Sequence, residues 1–164
     1  MVELWRRAWC LATGLLVPAL VLASPAWLRL DGVGPDWAVL WLLPWALVDG
    51  PVSGALVGAG LGLLLDASRG GGITVIPALA VLGWWWGRLG RRSIMQRSVS
   101  LALLALVGSL GVGLSLLLQQ LLLGQLAPAG WQLLWAQVLL TGLVAPLLCS
   151  LELLLWRQQL PGVR

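Results

Sequence analysis

The chain has 164 residues, of which 60% are hydrophobic and 10% are charged. A soluble domain carries about a quarter charged residues, so the composition indicates a single membrane domain over residues 1–164. All ten basic residues are arginine, and a net charge of +4 does not favour nucleic acid as a partner. The sequence has no histidine, which excludes a Ser–His catalytic pair.

Six apolar segments predict an all-α integral membrane protein, a bundle of six helices. The expected helices cover 8–23, 37–48, 51–66, 73–88, 98–123 and 131–156. The first segment follows Arg6 and Arg7 and ends in VLAS at 21–24, a pattern that also resembles a signal peptide. Because further spans follow, we interpret it as an uncleaved helix. Cys10 and Cys149 lie within apolar runs, and we expect both to be buried thiols.

The second and third segments form a hairpin. Residues 24–36 are a loop between the first two helices, and Asp36 is suited to cap the second helix. The sequence DGP at 49–51 turns the chain, with Pro51 suited to the first turn of the third helix. Twelve residues give the second helix a length of about 18 Å, against about 30 Å of hydrocarbon. We expect both helices to be short, so that the pair either crosses a thin or tilted section or enters partway and returns.

The third segment, PVSGALVGAGLGLLLD at 51–66, contains the most informative pattern of the chain. Gly54, Gly58, Gly62 and Asp66 recur every four residues and therefore follow one slowly turning helix face. Each interior glycine costs a helix about 1 kcal/mol relative to alanine. In a membrane, a face without side chains lets another backbone approach closely. The pattern predicts a helix-packing or partner interface that ends in a carboxylate.

Three acidic residues have alternative interpretations. Asp66 is either a solvated interfacial acid that pairs with Arg69, or a packing lock and partner contact. Asp49 is expected to be a turn or capping residue, with a functional role as the alternative. Glu152 is either a functional intramembrane acid or an acid that extends to the inner interface one turn before Trp156.

The distribution of arginine predicts the orientation. With the N-terminus in the cytoplasm and six crossings, eight of the ten arginines are cytoplasmic, and both termini lie there. The cytoplasmic arginines are Arg6, Arg7, Arg88, Arg91, Arg92, Arg97, Arg157 and Arg164, and the outer ones are Arg29 and Arg69. The cluster at 88–97 is a topology determinant, or a site for an acidic partner or anionic lipid head groups.

Two further patterns concern aromatic residues and catalysis. Trp37, Trp41 and Trp45 recur every four residues, which predicts a core-packing or lipid-facing stripe, with an aromatic docking stripe as the alternative. No two acids share an obvious level in the membrane, and no glycine-rich phosphate loop follows a strand. We therefore expect a non-enzymatic protein without catalytic residues, metal ligands or cofactors.

The hairpin LLPWALVDGPVSGALVGAGLGLLLDA at 42–67, the GRLGRR at 87–92 and the six short helices resemble the family of the rod-shape-determining protein MreD. The GxxxGxxxGxxxD run at 54–66 is the most specific part of this resemblance. It implies a multi-pass component of the bacterial cytoplasmic membrane that takes part in peptidoglycan synthesis and cell shape.

The resemblance also implies partners and a fold. The implied partners are MreC, the actin-like MreB, and the glycan polymerase and transpeptidase of wall synthesis, together with membrane lipids. The implied fold is similar to that of the substrate-binding components of energy-coupling-factor vitamin transporters. The first functional hypothesis is therefore a membrane scaffold of the cell-elongation complex.

Two other functions are open alternatives. The protein is alternatively a small-molecule-binding component of a vitamin transporter, or a lipid transporter or flippase accessory. The polar groups that a ligand would need in the last two helices are Gln119, Gln120, Gln132 and Gln137.

Overall fold

The regular structure of the described residues is helical. The computed structural model describes residues 13–14, 16–23, 33–69, 72–90, 98–124 and 130–159. The helices are α1 (Leu16–Ala23), α2 (Trp37–Asp49), α3 (Pro51–Arg69), α4 (Ile76–Gly90), α5 (Ser98–Leu122) and α6 (Gly130–Gln159). Over these residues the prediction of an all-α protein is confirmed.

The short helix α2 lies at the centre of the other helices. It contacts each of the other five, and its residues 38–46 are all buried. Its sequence, WAVLWLLPWALVD, is apolar on every side until Asp49, which is typical of a helix surrounded by protein. The interior of the described helices is therefore filled by side chains of α2.

A proline interrupts the hydrogen bonding of α2. Pro44 has no N–H, so the carbonyl group of Leu40 loses its usual helical donor. The Cys149 thiol of α6 donates a hydrogen bond to this carbonyl oxygen at 3.5 Å. Cys149 is buried, as its apolar surroundings predict, whereas Cys10 lies outside the described residues.

Only Gly50 separates α2 from α3. Its φ is +101°, a conformation that glycine adopts at little cost and other residues rarely adopt. Its N–H donates to the Ala46 carbonyl oxygen at 3.1 Å, and its own carbonyl oxygen accepts from the Gly54 N–H at 2.9 Å. Pro51 is the first residue of α3, as predicted.

Within the described residues, three helices are long and apolar enough to cross a membrane, namely α3, α5 and α6. The expectation that both hairpin helices are short is confirmed for α2, which has 13 residues, but is wrong for α3. The helix α3 has 19 residues, about 28 Å, and continues to Arg69 instead of ending at Asp66. The helix α4 begins at Ile76 instead of 73, because Val75 makes a capping contact that precedes the helix.

The helices α5 and α6 form an antiparallel pair. Gly113 of α5 lies against Leu134 near the start of α6, and Gly142 lies against Leu106 nearer the start of α5. At each place the glycine leaves room for a leucine side chain of the other helix. Both helices of this pair contact α2, as do α3 and α4.

Candidate helix-packing and interaction site

The three glycines of the predicted groove face α4. A Cβ atom on Gly54 would meet the carbonyl group of Gly83, and one on Gly58 would meet that of Leu79. A Cβ atom on Gly62 would lie 2.6 Å from Cα of Ile76, which is closer than real Cβ contacts. Backbone atoms cannot rotate away as side chains do. The helix α4 therefore occupies the groove, which has no room for a helix from another molecule.

Glycines of α4 make the same contact from the other side. A Cβ atom on Gly83, Gly87 or Gly90 would meet backbone atoms of Gly54, of Gly50 and Pro51, or of Leu47, respectively. Each step of about four residues along α3 is matched by a step of about four residues backwards along α4. The two helices are thus antiparallel in one constant register, with their backbones in contact over most of their length.

Asp66 caps the start of α4. Its carboxylate oxygens Oδ1 and Oδ2 each accept a hydrogen bond from the Val75 N–H at 3.0 Å. A carboxylate is unfavourable at the C-terminal end of its own helix but favourable at the N-terminus of the next one. The side chain of Arg69, the alternative partner, lies outside the described residues. This contact favours the interpretation of Asp66 as a packing lock at the end of the groove.

Gln119 of α5 fixes the same connection. Its Oε1 accepts from the Thr74 N–H at 2.8 Å, and its Nε2 donates to the Thr74 carbonyl oxygen at 2.8 Å. The Nε2 group also lies 3.4 Å from the Ser115 hydroxyl oxygen. The carboxamide thus pairs with the N–H and the carbonyl group of Thr74, as a backbone amide of a neighbouring β-strand would. Both its oxygen and its nitrogen are therefore engaged in hydrogen bonds.

The tryptophans of α2 pack inside the protein. Trp41 and Trp45 are buried and stack with ring centroids 5.8 Å apart and planes 8° from parallel. The Trp41 Nε1–H donates to Thr13 Oγ1 at 2.9 Å, and the Trp45 Nε1–H donates to Ser53 Oγ at 3.2 Å. The Trp37 Nε1 atom is also buried, without an acceptor among the described residues. These contacts match the core-packing interpretation of the stripe.

A small polar cluster holds the start of α2. Asp36 Oδ1 accepts from the Val39 N–H at 3.3 Å, so the predicted cap is confirmed. The Asp36 N–H donates to Thr141 Oγ1 at 2.9 Å, and the Thr141 hydroxyl donates to the Gln137 carbonyl oxygen at 2.7 Å. The Ser109 hydroxyl lies 3.5 Å from Thr141 Oγ1. Both Ser109 and Thr141 are fully buried.

The depth of this cluster differs from the sequence expectation. The sequence puts Asp36 at the end of an outer loop, whereas the structure puts it beside Thr141. Thr141 lies eleven residues into α6, about 16 Å from the start of that helix. The helix α2 therefore begins level with the middle of α6. The composition of a loop cannot predict this position of α2, because it does not show how far the loop extends between the helices.

The remaining candidates lie at the end of α2, near the end of α4 and in α6, or outside the described residues. Asp49 is the half-buried last residue of α2, and Arg88 is exposed near the end of α4. Arg91 and Arg92 lie outside the described residues. In Glu152, Oε2 is buried and has no hydrogen-bond partner among the described residues, so this atom does not extend to the surface.

The outer face of α3 is a feature that the sequence analysis did not single out. Val52, Leu56 and Leu63 are exposed on it, with Leu56 at 69%. Gly60 lies on the same face, and a Cβ atom there would have no other atom within 4 Å. Unlike the three groove glycines, Gly60 has no contact in the described chain that requires a glycine. In the sequence, Gly60 lies two residues away from both Gly58 and Gly62, and this spacing is the signal that places it on a different helix face.

Together these features define the class of the protein. Over the described residues it is all-helical, with three helices able to cross a membrane by length and composition and with two helices joined through glycines. Comparisons with protein-family models, curated proteins and solved structures find no match. The resemblance to the MreD family depends on the residues at 42–67 and 87–92 and on the pattern of six helices.

Proposed function

We propose that this protein is a non-catalytic scaffold in the bacterial cytoplasmic membrane, a six-helix bundle with both termini in the cytoplasm. It docks partner proteins of the cell-elongation complex through an outward helix face. The resemblance to the MreD family suggests MreC, MreB and the wall-synthesis enzymes as the partners. The membrane placement is supported by the three helices that are long enough to cross, and the orientation by the arginine distribution.

Gly60 is the observation that carries the docking proposal. An interior glycine costs a helix about 1 kcal/mol relative to alanine, and nothing inside the described protein compensates for it at this position. Close approach of a helix from another protein would use a glycine here, as α4 uses Gly58 on the opposite face. The docking face that we propose therefore consists of Val52, Leu56, Gly60 and Leu63.

The filled interior favours a scaffold over a small-molecule-binding component. Gln119, one of the polar groups that a ligand would need, is engaged with the backbone of Thr74. The Thr141 hydroxyl is engaged with Asp36 and Gln137. The centre of the described helices holds the buried residues 38–46 of α2. These groups serve the packing of the protein itself.

Co-purification tests the proposal. A Gly60→Leu variant co-expressed with an MreC protein should retain at most about one-tenth of the partner, because the larger side chain separates the two backbones. The thermal stability of the isolated variant should not fall, since the added atoms have free space. Gly72→Leu is the matched control, because Gly72 also has nothing within 4 Å but lies in the connection before α4. Wild-type recovery of MreC by the Gly60→Leu variant would refute docking through this face.

A further inference from the structure

The last turns of α4 carry an arginine stacked on an aromatic ring at the surface. The guanidinium carbon of Arg88 lies 4.5 Å from the centroid of the Trp84 ring. The two residues are four apart and therefore neighbours on one helix face. Arg88 is exposed and Trp84 is 43% exposed, so both are accessible from outside the protein.

The stacking leaves the hydrogen-bonding capacity of Arg88 available. Within the described part of the chain, the Arg88 side chain interacts with the Trp84 ring and with no other group. A guanidinium that stacks through its face keeps the N–H groups along its edge for an acceptor. The planar fork of an arginine matches the oxygens of a phosphate, and the ring below reduces the freedom of the side chain.

The sequence around Arg88 changes from apolar to basic. Val81, Trp84 and Trp85 are exposed and apolar, and Arg88 follows one turn later. Residues 88–97 contain four arginines and no acid. A phospholipid matches this order, because its apolar acyl chains are followed by a negatively charged phosphate. Tryptophan rings also favour the level of the lipid head groups in a membrane.

We propose that Arg88 and Trp84 form a binding site for the phosphate of an anionic phospholipid. The apolar surface before them contacts its acyl chains, and the excess of arginine selects for a net negative head group over a zwitterionic one. The proposal rests on the membrane placement given above but not on the docking of protein partners. Its test uses the purified protein alone, so its failure leaves the scaffold proposal open.

Native mass spectrometry of the purified full-length protein measures this binding directly. The protein in detergent is titrated with phosphatidylglycerol and with phosphatidylcholine of the same acyl chains. We expect tighter binding of phosphatidylglycerol than of phosphatidylcholine, and we expect Arg88→Gln to weaken phosphatidylglycerol binding about fivefold. Trp84→Leu should weaken it about two- to fivefold through loss of the stacked ring.

Two controls separate a site from general attraction. Trp135→Leu removes an exposed tryptophan of α6, away from the surface of α4, and should leave binding unchanged. Arg164→Gln removes the same charge at the far end of the sequence and should also leave it unchanged. Equal binding of the two lipids, unaltered binding by Arg88→Gln, or an equal loss with Arg164→Gln would each overturn the proposal. Thermal unfolding of each variant verifies that it is folded.

Discussion

The Cys149 thiol of α6 completes the hydrogen bonding of Leu40 in α2, over a distance of 3.5 Å from Sγ to the carbonyl oxygen. The carbonyl group needs this donor because Pro44, four residues later, has no N–H. A backbone group without a partner is costly inside a membrane, where no water replaces the missing donor. The proline of the central helix and the cysteine of the last helix thus form one structural unit.

Cys149→Ala should lower the free energy of unfolding by about 1 kcal/mol, because it leaves the Leu40 carbonyl without a donor. Cys149→Ser should cost less, since it keeps a hydroxyl donor. Pro44→Ala restores the N–H in α2, so the cost of Cys149→Ala should shrink in that background. A double-mutant cycle from thermal unfolding in detergent measures this coupling. An equal cost in both backgrounds would mean that the thiol contributes packing alone.

The two kinds of glycine in α3 should respond oppositely to the same substitution. Gly58→Ala should destabilise the protein by about 1–3 kcal/mol or more, because the added methyl group meets the Leu79 carbonyl. Gly60→Ala should stabilise it by up to about 1 kcal/mol, since the position is open and alanine favours helix. Unfolding temperatures of the two variants in the same detergent give the comparison. Effects of the same sign and size would contradict the assignment of the two faces.

The four-residue spacing of the glycines was sufficient to predict which residues of α3 share a face. It did not indicate that α4 of the same chain occupies that face, because periodicity describes one helix and not its neighbours. The burial of α2 was ambiguous for a related reason. In a membrane, lipid and protein interior are both apolar, so apolar residues on every side fit either environment.

The partner of Asp66 also depended on tertiary structure. Sequence proximity suggested Arg69, whose side chain lies outside the described residues, and the structure joins the carboxylate to the N–H of Val75, nine residues after Asp66. The return of the chain between α3 and α4 brings these groups together, and composition does not encode that path. The cap by Asp36 could be predicted because the interaction spans only three residues, from Asp36 to Val39.

Removing the carboxylate of Asp66 should loosen the connection between α3 and α4. Asp66→Ala loses both contacts to the Val75 N–H, and we expect a loss of about 1.5–3 kcal/mol in the free energy of unfolding. Asp66→Asn keeps one acceptor oxygen but no charge at the start of α4, so its loss should be smaller. Thermal unfolding measures both variants. Equal stability of Asp66→Ala and the wild type would mean that the Val75 N–H finds another acceptor.

The polar cluster at the start of α2 gives the last prediction. Thr141→Val keeps the shape of the side chain but removes the acceptor of the Asp36 N–H, which should cost about 1–3 kcal/mol. Thr141→Ser keeps the hydroxyl and should cost less. Ser109→Ala should also cost less, because its contact of 3.5 Å is at the limit of a hydrogen bond. Hydrogen–deuterium exchange of a peptide that contains Asp36 should become faster in Thr141→Val and stay unchanged in Ser109→Ala. Unchanged exchange in the valine variant would show that α2 is held at this depth by its apolar packing and does not need the threonine.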